Sequence, residues 1–116
     1  MDYNELMGVD IPIAAAIATC GNSIKIEMVN AEFVRLFGYT ERDLAQMGAE
    51  NMISKQDIYL LEETVAQAVQ GQRVADQEVR IRQKGHDFFW VQVRCSRLTY
   101  KNALPQLIFL FWDIHA

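Results

Sequence analysis

A chain of 116 residues, 51% hydrophobic and with a net charge of −4, holds one domain and one core. It is too apolar to be disordered. The acidic balance, with no dense run of Lys and Arg, argues against a nucleic-acid surface. Cys20 and Cys95 have neither metal-site spacing nor the density of a disulfide scaffold, which points to reduced thiols and a cytoplasmic setting.

No signal-peptide pattern opens the chain. Ile11 to Ala18 is apolar but short, follows an acidic start and falls well below a membrane span, so no direct membrane contact is expected. Asp2 and Glu5 form a capping box, and Tyr3, Leu6 and Met7 give an apolar side, so residues 1–10 read as a short amphipathic cap helix. Pro12 bars helix continuation, and Ile13 to Thr19 reads as a buried strand. Gly21-Asn22 marks a turn. Ile24 to Val29 is the returning strand, with Ile24, Ile26 and Met28 assigned to one face.

Asn30 can then cap a helix whose stripe is Phe33, Leu36 and Phe37, and Gly38 sits where a left-handed terminator belongs. Thr40 with Asp43 makes a second capping box, followed by helical pieces over Glu41 to Met47 and roughly Glu50 to Ile53. Helices this short need a surface to lean on, most simply a sheet. Ser54 and Asp57 read as a third capping box opening a longer helix to Gln70. Its stripe is Ile58, Leu61, Val65, Ala68 and Val69, and Gly71 is its stop.

From Val74 onward the period becomes two. Val79 and Ile81 alternate with Glu78, Arg80 and Arg82. Lys84-Gly85-His86-Asp87 makes a hairpin. Phe89, Val91, Val93 and Cys95 then alternate with Trp90, Gln92, Arg94 and Ser96. Asn102 to Pro105 turns the chain, and the apolar run Leu107 to Ile114 suits a central strand. The order is two strands, a helical insert and three strands, an α+β arrangement.

That order, with its residues, resembles a PAS domain. The resemblance is carried by Val29-Asn30-Ala31-Glu32-Phe33, by Phe37-Gly38-Tyr39-Thr40 leading into Leu44, by Glu78-Val79-Arg80-Ile81-Arg82, by Trp90-Val91, and by Trp112-Asp113-Ile114. It covers nearly the whole chain and sets the PAS domain at residues 11–116. It implies a five-stranded antiparallel sheet with short helices and one longer helix on one face, serving as a sensory or dimerising module of a larger, typically bacterial, signalling protein. The family usually closes Asp-Ile-Thr and enters a linker helix, whereas here Asp113-Ile114-His115-Ala116 closes. The expectation is therefore a module whose covalently linked output domain lies elsewhere, a histidine kinase or diguanylate cyclase being family-compatible.

The family's pocket lies between the sheet and the helices. The resemblance and the alternation together place Phe33, Phe37, Leu44, Met47, Met52, Leu61, Val65, Ile81, Val91, Phe109 and Phe111 around it. Flavin-binding relatives use a cysteine in the helical insert and strand amides, but Glu41 to Gln70 has no Cys and the matching strand positions are Ile81, Val91 and Phe111. Haem-binding relatives place a histidine on the long helix, whereas the histidines here are His86 in a hairpin and His115 near the end. No flavin, haem or metal is expected. Cys95 reads as an inert core thiol. A small apolar ligand is compatible with the Met and aromatic lining, although Phe109 stands where the family commonly has Gly and suggests a small or collapsed pocket.

No nucleophile elbow, phosphate loop or convergent carboxylate pair is visible, and Glu62 and Glu63 read as solvated, so the chain is not expected to be an enzyme. Alternation puts Trp90, Leu110 and Trp112 on the outer sheet face, an apolar patch to be covered by Tyr3, Leu6 and Met7 or by a second copy. A homodimer through these six residues is expected. Asp113, the charge that ends an apolar strand, is the candidate signal exit. The alternative is a constitutive interaction scaffold with a filled core and no ligand.

Overall fold

The computed structural model describes residues 12–21, 23–98 and 105–115. The expected cap helix, with Tyr3, Leu6 and Met7, and the turn residues 102–104 lie outside them. In chain order the elements are β1 (Ala14–Cys20), β2 (Ile24–Val29), α1 (Ala31–Phe37), α2 (Glu41–Met47), a 3-10 turn (Ala49–Met52), α3 (Ile58–Val69), β3 (Gln77–Arg82), β4 (Phe88–Leu98) and β5 (Gln106–Asp113). The strands form one antiparallel sheet in the order β2-β1-β5-β4-β3. The helical insert therefore carries the chain from one sheet edge to the other, and the apolar run of β5 takes the centre as expected.

Local chemistry fixes each element. The Asn30 side chain accepts from Phe33 N–H to start α1, and Gly38, at φ 81°, ends it by donating to the Val34 carbonyl. Thr40 and Asp43 close a reciprocal capping box on α2. At the end of α3, Gly71 N–H reaches the Ala68 carbonyl and Gln72 N–H the Gln67 carbonyl, the paired bonds of a Schellman stop.

Two expectations are corrected. Ser54 and Asp57 do not form a capping box, since no side chain caps α3. The Asp57 carboxylate instead accepts from the Arg80 backbone N–H at 2.8 Å and from its guanidinium at 2.9 Å. An ionised donor offering two parallel bonds outcompetes a single backbone N–H. Met28 does not share a face with Ile24 and Ile26. A bulge shifts the β1–β2 register between Ile17 and Ala18, setting Met28 opposite Ile17 while Ile26 opposes Ala18.

The core lies between the sheet and the helices. Ala14, Ala16 and Ala18 on β1, Leu107, Phe109 and Phe111 on β5, and Val91, Val93 and Cys95 on β4 form its floor. Phe33 and Phe37 pack onto Phe111 edge-to-face at ring-centroid distances of 5.6 and 5.2 Å. The sheet edges are occupied. Glu41 accepts from Val29 N–H on β2. On β3, Ser54 N–H donates to the Arg80 carbonyl and Ile53 bridges to Ile81.

Candidate functional site

Small side chains flank large ones in this core. Phe109 sits between Ala16 on β1 and Cys95 on β4, so its ring has room to lie against Phe111, nearly parallel at 18°. A cavity of about 390 Å³ remains between the sheet and the helical insert, within the range of small-molecule sites. This is larger than the small or collapsed pocket that the bulk of Phe109 suggested.

Of the expected pocket residues, Phe33, Leu44, Met52, Leu61, Val65, Ile81, Phe109 and Phe111 line the cavity. Phe37 and Val91 are fully buried in the core beside it, and Met47 packs on the core from its margin. These three are not on its wall. Other wall residues lie outside the expected set, among them Gln77, Thr64 and Cys20. Gln77 opposes Val93 on the inner face, and extending the Val79–Ile81 alternation back by two residues would have found it. Thr64 follows Leu61 by three positions, the spacing of a shared helix face.

The lining residues that also reach solvent mark the mouth. They are Gly21 and Ser23 at the β1–β2 turn, Glu50 in the 3-10 turn, and Glu62 with Ala66 one turn apart on α3. Among the described residues no Lys or Arg lines it. The deeper wall is hydrocarbon and aromatic, with Thr64 and Gln77 as neutral polar groups. Burial raises the Cys20 thiol. Burial, aided by the proximity of Cys20, pushes Cys95 up to about 12. Neither thiol is poised as a nucleophile. Among the described residues no three His, Cys, Asp or Glu side chains converge as metal ligands.

The opposite sheet face carries a different chemistry. Trp90 and Phe88 are about two-fifths exposed, while Leu110 and Trp112 are half-buried across from Arg94 and Gln92. Arginines lie over this aromatic row, Arg80 at 4.9 Å from the Trp90 ring centre and Arg94 at 5.3 Å from that of Trp112. Asp76 holds Arg94 with paired bonds of 2.9 and 3.0 Å. At the end of β5 the Asp113 carboxylate accepts from His115 N–H at 2.9 Å, a local turn. Ile114 N–H points at the Trp90 carbonyl, 3.4 Å away.

A continuous antiparallel sheet whose edges are bridged by a short-helix insert, with a cavity beneath that insert that opens to solvent, defines an α+β domain. The chain belongs to the PAS fold family, whose model matches residues 26–108. Among solved structures it is similar to the PAS domain of a protein from Colwellia psychrerythraea, with 18% identity, a TM-score of 0.73, and 90% of this chain and 87% of that one covered. It is similar to the N-terminal domain of a diguanylate cyclase with PAS/PAC sensor from Marinobacter aquaeolei, at 13% identity and a TM-score of 0.63, covering 86% and 94% of the two chains. A sensory box histidine kinase/response regulator from Burkholderia thailandensis is also similar, at 16% identity and a TM-score of 0.66, with 97% and 85% covered. No curated protein matches the chain. Among the described residues no helix is long and apolar enough to cross a membrane.

Proposed function

We propose that this PAS domain is a sensory and dimerisation module, binding a small molecule in its cavity and passing a conformational bias to a linked output domain. The observation that carries the reading is the cavity of about 390 Å³. Its floor includes Phe109 and Phe111 of the central strand, and that same strand runs on to Asp113. A ligand that moves this wall acts on the element that leaves the domain. Asp113 is the exit residue, because its turn ties the end of β5 to the chain that follows. The neighbours named as a diguanylate cyclase with a sensor and as a sensory box kinase support such an output by analogy. The open cavity favours sensing over a scaffold with a filled core.

Dimerisation uses the outer sheet face around Trp90, Leu110 and Trp112, where exposed aromatic area is available to a second copy. No flavin, haem or metal is assigned; the ligand is a small, mainly apolar molecule. Native mass spectrometry of the purified protein, with organic extraction of its contents, tests the reading. A small molecule bound one per protomer is expected, and a cavity that stays empty and takes up no apolar probe would refute it. In the full-length protein Asp113→Ala is expected to uncouple output from ligand while leaving binding intact. Unchanged output would remove Asp113 from the pathway.

A further inference from the structure

The distribution of charge around the cavity specifies its ligand further than the reading above, on which this inference rests. The deep wall is apolar: Phe33, Met52, Val79, Ile81 and Phe109 are each less than a tenth exposed. Such a surface rewards burial of hydrocarbon and penalises a buried charge without a partner. A ligand's charged end must therefore stay at the mouth. Among the described lining residues the ionised side chains are Glu50 and Glu62, both exposed, and none is Lys or Arg. Neither carboxylate is held in an ion pair among the described residues.

We propose that the cavity takes a cationic amphiphile, an apolar body seated on the aromatic floor with an ammonium head between Glu50 and Glu62. A carboxylate or phosphate head at that position would meet like charge on α3 and on the 3-10 turn, with no cation among the described lining residues to receive it. A neutral head is tolerated, because Ser23 at the rim is uncharged, but it gains nothing from the two carboxylates. The protein's overall charge of −4 points the same way, drawing cations towards the surface and repelling anions.

Three probes with one body and different heads separate the possibilities: decylamine, 1-decanol and decanoate, titrated calorimetrically into the full chain at low ionic strength. The amine is expected to bind about fivefold more tightly than the alcohol, the scale of one exposed ion pair, and the acid more weakly than either. In Glu50→Gln/Glu62→Gln the amine and the alcohol should bind alike, with the affinity for the alcohol unchanged. Glu63→Gln, an exposed neighbour outside the lining, should keep the preference, which distinguishes the rim from general surface charge. Equal binding of all three heads, tighter binding of decanoate, or an amine preference lost equally in Glu63→Gln would overturn the assignment while leaving the cavity a ligand site. Failure of all three probes to bind would instead refute the ligand-binding reading itself, and this assignment with it.

Discussion

Asn30 does three jobs with one amide. Its Oδ1 accepts from Phe33 N–H and from Ala15 N–H, each at 2.9 Å, and its Nδ2 donates to the Ile13 carbonyl at 2.8 Å. The cap of α1 is thereby tied to the first strand in a buried position. Asn30→Ala is expected to cost about 2–3 kcal/mol, a cap plus unsatisfied buried groups, measured as a fall in urea midpoint at unchanged m-value. Asn30→Asp keeps the acceptor but turns a carboxylate oxygen towards the Ile13 carbonyl in a buried position, so it should not restore wild-type stability.

Asp57 acts at the same scale through charge. The Arg80 guanidinium that bonds it holds its carboxyl below the usual carboxylate range, with the Arg80 backbone N–H helping. A carboxyl with a depressed folded-state pKa contributes stability above its unfolded value, near 3.9, and loses it as pH falls through the folded value. Asp76, held by Arg94 and Gln92, is shifted the same way. Stability should therefore be flat near neutral pH and fall below about pH 4. Asp57→Asn should lower stability at pH 7 and flatten that acid limb, as seen by thermal unfolding across pH. A variant with the wild-type acid slope would show that the pair does not carry the linkage.

Among the elements, the helix stops differ in what surrounds them. Gly38 lies at φ 81° with its missing Cβ 3.1 Å from the Cβ of Lys84, whereas Gly71 lies at φ 77° with nothing within 4 Å. Gly71→Ala should cost about 1–2 kcal/mol from the left-handed backbone alone. Gly38→Ala should cost more, because it also pushes on the β3–β4 hairpin, which Lys84 N–H and the Gln83 amide tie to the Phe37 and Leu36 carbonyls. Comparison of the two unfolding free energies checks this, and equal costs would mean that the contact with Lys84 carries no strain. These elements were legible in the sequence because their signals are local. The cap at Asn30, the box of Thr40 and Asp43, and the alternation of β3 and β4 each span a few residues. Asp57 was misread because its partner, Arg80, lies 23 residues away, and no local rule weighs such a contact against a cap. Met28 was misread because a bulge leaves no mark on the hydrophobic pattern. Gln77 was missed for a simpler reason, since the inner-face alternation was not carried to the start of β3.

At the scale of the molecule, volume is what sequence cannot sum. The apolar wall residues each read as core, and only their joint placement leaves the cavity, with Phe109 of its wall set between Ala16 and Cys95 in the sheet. The outer face poses the complementary question of what covers it. If a second copy does, light scattering should give twice the protomer mass, and Trp90→Glu should give one protomer without unfolding. A monomeric wild type would discard the interface. The central claim, that the cavity is a ligand site and not merely loose packing, is tested most directly by thermal unfolding with and without 1-decanol. Wild type and Val65→Trp, whose indole would occupy the cavity from α3, are compared. Binding to the native state alone must raise the midpoint of the wild type with probe concentration and leave that of Val65→Trp unmoved. No shift in the wild type, or the same shift in both, would contradict it.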